Sequence, residues 1–408
     1  MAEKRDITVI GGGVTGLATA WALLRDGHNV TLTERHRDVG QEASFANGGQ
    51  LSYRYVRPLA DAGVPQDAIS WLFRSNSPVS LRLRADPHQW RWMLAFFRAC
   101  NAATNHKNSN ILLDLALRSQ AGLSEWRADG LKDFLWRRPG KLVVYRSKKN
   151  FLKARGGVTD PERERVLSPS ECADVEPAFA SLSKQIAGGI FSPEDEVADC
   201  YRFCESLLDS MSRHSLFRRI HGNASLSTGE GGQCLMRIDG RIHDTDLVVL
   251  AAGISSRQLV RPLGFDLPLY GLKGYSLTHQ PRIDTMPDVS VTDYDNRVVY
   301  ARLGDTLRIA AMVDIGTRNM RPDPRRIASL RSLAAAALPE AGPYDAAVPW
   351  AGMRPATPDG VPVIARTRWH NLLLNVGQGA LGFTLSVGSA LKVCDLVAGA
   401  RPAVHDKV

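Results

Sequence analysis

The sequence predicts an α/β protein: a parallel, helix-covered sheet interleaved with a second, α+β domain built on a mixed or antiparallel sheet. Three observations predict it. The first fifty residues hold a strand, a glycine-rich turn, a helix and a second strand in immediate succession. Residues 269–313 hold three strand candidates with no helical pattern between them. The chain has 408 residues, 44% of them hydrophobic, which is more than a single core usually encloses.

The N-terminal elements are the most informative. Ile7 to Ile10 is a β-branched apolar run of the kind that forms a buried parallel strand. It enters Gly11-x-Gly13-x-x-Gly16 directly, and Leu17 to Leu24 read as helix. A second strand, Asn29 to Thr33, ends at Glu34. Together these make the βαβ fingerprint of a Rossmann-type dinucleotide fold. Gly11 permits the tight turn, Gly13 lets the backbone approach a pyrophosphate, and Gly16 lets helix and strand pack closely. The phosphates then meet free N–H groups of Val14, Thr15 and their neighbours at the helix N-terminus. Glu34 stands where a carboxylate takes both hydroxyls of an adenosine ribose.

Three further segments extend that site. After Arg35, a small polar loop carries Ala43, Ser44, Asn47, Gly48, Gly49, Gln50 and Leu51, suited to run along a ribityl chain and a flavin ring. Asp246 to Gly253 is another buried strand ending in small residues, with Ala252 and Gly253 closing over a nucleotide. Near the C-terminus Gly377, Gln378, Gly379, Leu381, Gly382, Phe383 and Thr384 form a glycine-rich turn before an apolar helix that runs to about Val397. Its N–H groups and positive dipole favour an anionic ring. A nicotinamide enzyme has no need of this third element.

Lys and Arg number 51 against 42 Asp and Glu, a net charge of +9, which favours acidic substrates, phosphate-bearing cofactors or an anionic membrane surface. The basic residues are scattered and no nucleic-acid motif accompanies them. Of six cysteines only Cys200 and Cys204 lie close together, and on a helix they share a face as buried thiols. No disulfide framework, zinc spacing, phosphate-loop motif or serine-nucleophile elbow is present, and His28 and His243 read as surface or satisfied residues. No signal peptide is evident, nor a run of the ~18 apolar residues that cross a bilayer. A cytoplasmic protein is expected, with peripheral contact to the inner membrane as the alternative.

These segments together resemble the FAD-dependent amine and D-amino acid oxidoreductases, the family of D-amino acid oxidase, glycine oxidase and sarcosine oxidase. Within it the bacterial D-amino acid dehydrogenases are the most similar branch. The resemblance rests on residues 9–16, Ser44 to Ser52, Gly63 to Pro65, Pro193 to Cys200, Leu272 to Thr278 and Gly352 to Pro362, in order along the chain. It implies a glutathione-reductase-like FAD domain and FAD bound without a covalent link, because the flavin-linking His or Cys of sarcosine oxidases is absent. It also implies hydride transfer from the substrate Cα to flavin N5, with electrons passed to a quinone or another acceptor. Two segments depart from the family: Gly377-Gln378-Gly379 replaces a more usual Gly-His-Gly, and Ser52-Tyr53-Arg54-Tyr55 a more usual Ser-Pro-Gly-Tyr. An alternative substrate is therefore a cyclic or secondary amino acid such as D-proline, a D-hydroxyproline, sarcosine or glycine. A reading from another class is a flavin-bearing subunit whose main role is assembly.

The resemblance puts Arg354 of Gly352-Met-Arg-Pro355 on the substrate carboxylate, where a guanidinium fork binds bidentately. The plain alternative is a salt bridge to Asp359. Tyr275, Tyr55 and Tyr300 are candidate hydroxyl contacts to the same carboxylate, each structural when considered alone. Gln378 completes the catalytic set, and no metal is expected.

The FAD domain is expected to comprise residues 1–80, 170–265 and 350–408, and the substrate domain 81–169 and 266–349. Strands are expected at Gly140 to Tyr145, Leu269 to Thr278, Arg297 to Leu303 and Thr306 to Val313, the last two joined at Gly304-Asp305. Asp323-Pro324 opens a helix to Leu338. Trp71, Phe73 and the stretch Trp90 to Arg98 pack aromatics among arginines. They read as an amphipathic helix covering the substrate domain with Arg91 and Arg98 solvated, the alternative being contact with lipid or a quinone-linked partner.

Overall fold

Asp6–Ile10 forms the centre of a six-stranded sheet because neighbours on both sides satisfy its backbone in parallel register. We describe it from a computed structural model, covering residues 3–64 and 77–399. Across the sheet the order is Val363–Arg366, Leu372–Val376, Leu247–Leu250, Asp6–Ile10, Asn29–Glu34 and Phe217–His221. All neighbours are parallel except the antiparallel edge strand 363–366. Alternation divides the side chains between two cores. Ile7, Val9, Leu247 and Val249 enter one, beneath the helices; Ile10, Val248 and Leu250 enter the other, beneath a three-stranded sheet.

The helices on the first face are Val14–Arg25, Ala102–Ala128, Cys200–Ser212 and Gly382–Val397. The last is mostly apolar, with a mean hydropathy of 1.5 over residues 379–397, and 67% of that stretch is buried inside the protein. Helices 102–128 and 382–397 cross closely because Gly388 has no side chain. A Cβ there would strike the Leu115 carbonyl and lie 3.1 Å from the Ser119 nitrogen. Arg118 closes the crossing with a two-pronged bond to Asp395.

The second sheet has nine strands, in the order Val348–Ala356, Tyr270–His279, Thr306–Ile315, Val298–Leu303, Ser290–Asp293, Lys141–Tyr145, Gly188–Ser192 and Arg165–Leu167, with Val79–Leu81 beside 306–315. It is mixed: 141–145 pairs 290–293 in parallel, and its other neighbours in the path run antiparallel. One face buries Leu277, Val298, Tyr300, Leu307 and Ile309 against the helix Pro324–Ala337. That helix starts as the sequence predicts, with Asp323 accepting from the Arg325 N–H at 2.9 Å. The other face looks toward the first sheet.

The expected domain boundaries need correction in two places. Helix 102–128, assigned to the substrate domain, gives Leu112, Leu115, Ala116, Leu123 and Trp126 to the core under the first sheet. Strands 188–192 and 348–356, assigned to the FAD domain, are hydrogen-bonded members of the second sheet. Pairing to distant strands, absent from any local pattern, decides these memberships. The helix Pro87–Ala99 buries Gln89, Trp92, Phe96 and Ala99 and leaves Arg91 and Arg98 exposed, as expected of a covering helix. Trp71, Phe73 and Pro65 lie outside the described residues. Cys200 and Cys204 are buried free thiols on one helix.

Replacing Gly388 by valine overpacks the helix crossing. A loss of about 1–3 kcal/mol is expected, read as a lower Tm in thermal denaturation with the wild-type fold retained in circular dichroism.

Candidate active site

A cavity of about 730 Å³ lies where the C-terminal ends of the parallel strands face the second sheet. At one end are Gly11, Gly13, Val14, Thr15, Glu34 and Arg35; in the middle Ala43, Ser44, Asn47, Gly48, Gly49 and Gln50; over it Ala252 and Gly253. Gly379, Gly382 and Phe383 close the far end, beside Gly274, Tyr275 and Arg354. Most of the residues singled out from the sequence therefore converge on one space. Two do not. Leu51 is buried in the core under the first sheet, and Gly16 serves packing alone, since a Cβ there would collide with the Gly11 carbonyl.

Local geometry explains each position. Gly11 has φ +114, and a Cβ on it would sit 2.6 Å from the Ala251 carbonyl oxygen. Only glycine permits both. The helix that follows has no acidic residue in its first turn. Ser44 accepts the Val14 N–H at 3.0 Å, and the remaining first-turn donors carry the positive end of the dipole. Glu34 is oriented by two backbone donors, Gly12 N–H at 2.6 Å and His36 N–H at 2.8 Å. Glu42, unforeseen from the sequence, sits at the rim with φ 54 and pairs with Arg35 and His36. Burial opposes its charge, but the bonds from Arg35 and His36 outweigh that and hold the carboxyl below its usual range.

A second cavity of about 370 Å³ adjoins the first, sharing Gln50, Arg297, Val299, Arg354, Gln378 and Gly379 in the common wall. Gly377, Leu381 and Thr384, expected on the cofactor, line this second space and not the first. Gly377 has φ +88, and Thr384 donates to the Gln50 carbonyl at 3.3 Å.

Arg354 is the focus of the shared wall. Strand 348–356 places it opposite Leu272, and its guanidinium folds back over Gly274, where a Cβ would lie 2.7 Å from Nη1. One donor is anchored: Nη1 gives a hydrogen bond to the Met312 carbonyl at 3.0 Å. That carbonyl is free because strands 270–279 and 306–315 slip by one residue between Lys273 and Tyr275, and Met312 adopts φ 67. The slip is a β-bulge, a device that re-aims backbone groups beside sites. Among the described residues Arg354 forms no ion pair. Burial pushes its pKa down to about 10, so it stays charged at neutral pH. The alternative pairing with Asp359 is not made; that carboxylate accepts from Val361 N–H at 3.2 Å.

Gln378 is buried, and its Nε2 donates to Asn375 Oδ1 at 2.6 Å while Asn375 donates to Thr19 Oγ1 at 2.9 Å. Tyr55 lines the second cavity, its ring 4.3 Å from Lys141 Nζ, and burial lifts its hydroxyl to about 12. Tyr275 is placed otherwise than expected. Its hydroxyl donates to Asp314, which pairs with Arg326 at 2.8 Å, so the group is engaged away from a substrate carboxylate. Tyr300 is a correction outright: it points into the core against Phe179, its hydroxyl 3.4 Å from the Leu333 carbonyl. Its neighbour Val299 faces the cavities, because successive residues of a strand face opposite ways.

Comparison with known proteins decides the family. Residues 6–396 match the family of FAD-dependent oxidoreductases that carries the name DAO. The chain belongs to that family. It is 48% identical over 410 residues to D-amino acid dehydrogenase 2 of Pseudomonas aeruginosa, covering all of this chain and 97% of that one. It is 42% identical to the protein of that name in Ralstonia nicotianae, over 98% of this chain and 97% of the other. Glycine oxidase from Geobacillus kaustophilus shares the fold with a TM-score of 0.75 at 20% identity, over 98% of this chain and 96% of that one. L-proline dehydrogenase from P. horikoshii does so with 0.72 at 15% identity, over 99% and 96%.

The first cavity fits the cofactor of an FAD-dependent oxidoreductase by its own features. Gly11 and Gly13 leave backbone room for a pyrophosphate at a helix terminus free of acids, Glu34 is aligned for a ribose, and the strip from Ala43 to Gln50 leads to the wall holding Arg354. Its volume lies within the range of about 300–1,000 Å³ usual for ligand sites. The sequence reading missed Lys141, Arg297 and the Met312 carbonyl. The signal for Lys141 was a lysine heading an otherwise apolar strand.

Removing the oriented carboxylate with Glu34→Ala is expected to weaken FAD retention about tenfold, the cost of roughly 1–2 kcal/mol for a lost charged hydrogen-bond acceptor. Recovery of flavin fluorescence on serial dilution measures it.

Proposed function

We propose that this FAD-dependent oxidoreductase oxidatively deaminates D-amino acids, yielding a 2-oxo acid and ammonia. The observation that carries the reading is Arg354, a charged guanidinium with no acid partner among the described residues, set in the wall common to both cavities. An α-amino acid carboxylate satisfies that requirement bidentately. The names of the Pseudomonas and Ralstonia relatives support the D-amino acid as substrate.

Bound FAD would supply the two-electron acceptor, held by residues 11–15, Glu34 and the strip 43–50. The chain's own residues do the positioning. Met312 fixes one edge of Arg354, and the remaining guanidinium donors receive the carboxylate. That anchorage sets the substrate Cα against the shared wall, where orientation replaces a chance encounter. Gln378 is locked by Asn375 and so forms a fixed boundary opposite the amine. The α-carbon and amine give up two electrons and two protons, and water then hydrolyses the imine. The electrons leave to a quinone or another acceptor in this reading.

Arg354→Ala is expected to raise KM on the order of a hundredfold, about 3 kcal/mol for a lost buried charge partner, with FAD still bound. Steady-state kinetics with a dye acceptor across D-, L- and cyclic amino acids measure it, and an unchanged KM defeats the assignment. Gly274→Ala tests the same geometry without touching the charge. Its methyl group displaces the guanidinium, so KM rises while the wild-type flavin content persists.

A further inference from the structure

The walls of the second cavity carry more positive charge than one carboxylate requires. Arg54, Arg57, Lys141, Lys153, Arg297 and Arg354 line it, against two acids, Asp61 and Glu164. Lys153 is used up by Asp61 at 3.0 Å. Burial pushes the Glu164 carboxyl above its usual range even though Arg54 and Arg57 face it, and one carboxylate does not balance two guanidinium groups. The side chains of Arg54, Arg57 and Arg297 form no ion pair among the described residues. Arg297 is held in a left-handed turn at φ 57, its guanidinium 4.7 Å from the ring centre of Tyr294.

Lys141 is the telling group. It is 2% exposed, and its ammonium bonds only neutral partners, Gln50 Oε1 at 2.9 Å and Ser52 Oγ at 2.8 Å. Asp195 attracts it but does not line the cavity and is not within ion-pair distance; burial raises that carboxyl and lowers the lysine. A buried ammonium with no anion at ion-pair distance is costly, and a cation cluster in a half-enclosed space repels itself. Both costs fall when an anion enters. The substrate's α-carboxylate takes Arg354, and a second carboxylate on the same molecule relieves the rest.

We infer that Lys141, Arg54 and Arg297 form a subsite for a side-chain carboxylate, so that the preferred substrates are acidic D-amino acids, those of the aspartate and glutamate type. The inference rests on the deamination reading above for its reaction, though the subsite itself is a matter of binding.

The test therefore separates the two. Holoenzyme is titrated with glutarate and with its monoamide, glutaramate, neither of which can be oxidised, following the flavin absorbance. Glutarate is expected to bind at least tenfold more tightly, and kcat/KM for D-glutamate or D-aspartate to exceed that for D-glutamine or D-asparagine by a similar factor. Lys141→Met and, independently, Arg54→Gln should each shrink the glutarate advantage several-fold; the second lies in a loop, so it tests the subsite even where the first fails to fold. Equal binding of the two ligands, or faster turnover of the amides, overturns the subsite while leaving D-amino acid oxidation intact. A glutarate preference without oxidation of any D-amino acid upholds the subsite and overturns the deamination reading.

Discussion

A guanidinium taken out of water and given no acid among the described residues is the constraint on which this architecture turns. Arg354 is charged at neutral pH, and it keeps its place through one hydrogen bond to the Met312 carbonyl and the open space over Gly274. Each of those supports is a departure from regular sheet. The bulge turns Met312 into a conformation that non-glycine residues rarely adopt, and Gly274 forgoes a side chain in the middle of a strand. Such departures cost stability, and the nine-stranded sheet repays it by burying Leu277, Leu307 and Ile309 on its opposite face. The site is thus supported from behind by an apolar core.

The two sheets divide the labour that this demands. The parallel sheet ends at Gly11, Glu34 and Ala251, a row of strand termini where backbone donors and one aligned carboxylate are available. The mixed sheet contributes side chains instead, because its inner face presents Ser276, Val299 and Ala310 toward the gap between the layers. In the proposed reaction a dinucleotide along the first and a small acid against the second would meet at the wall of Gln50, Arg354 and Gln378, which both cavities share. The cationic second cavity also agrees in sign with the chain's net charge of +9.

Much of this was legible in the sequence where the contacts are local. The strand, turn, helix and strand of residues 6–34 follow one another directly and pair in register, Asp6 to Ile10 against Asn29 to Thr33, and Gly304-Asp305 marks the hairpin of 298–303 and 306–315. The C-terminal glycine turn and its helix were equally plain. Legibility failed wherever a distant residue decides the outcome. Tyr300 and Val299 are one residue apart, and only the packing of helix 324–337 tells which faces the core. The Tyr275 hydroxyl is claimed by Asp314, 39 residues later. Lys141 acquires its role from Gln50, Ser52 and Tyr55, some 90 positions upstream. Helix 102–128 was placed on the wrong layer for the same reason, since its partner is the helix near the C-terminus.

The order in which the strands are drawn has a bearing on how the protein is made. The central sheet takes its middle from residues 6–34 and 247–250 but one flank from 363–376, and the second sheet waits for strand 348–356. A ribosome delivering the chain in order therefore exposes edges of both sheets until residues 348–376 have emerged. Neither sheet is complete before the strands of residues 348–376 are available, and pairings of such sequence separation are slow to form. The half-made chain presents unpaired strand edges in the meantime, and those edges are open to pairing with other chains.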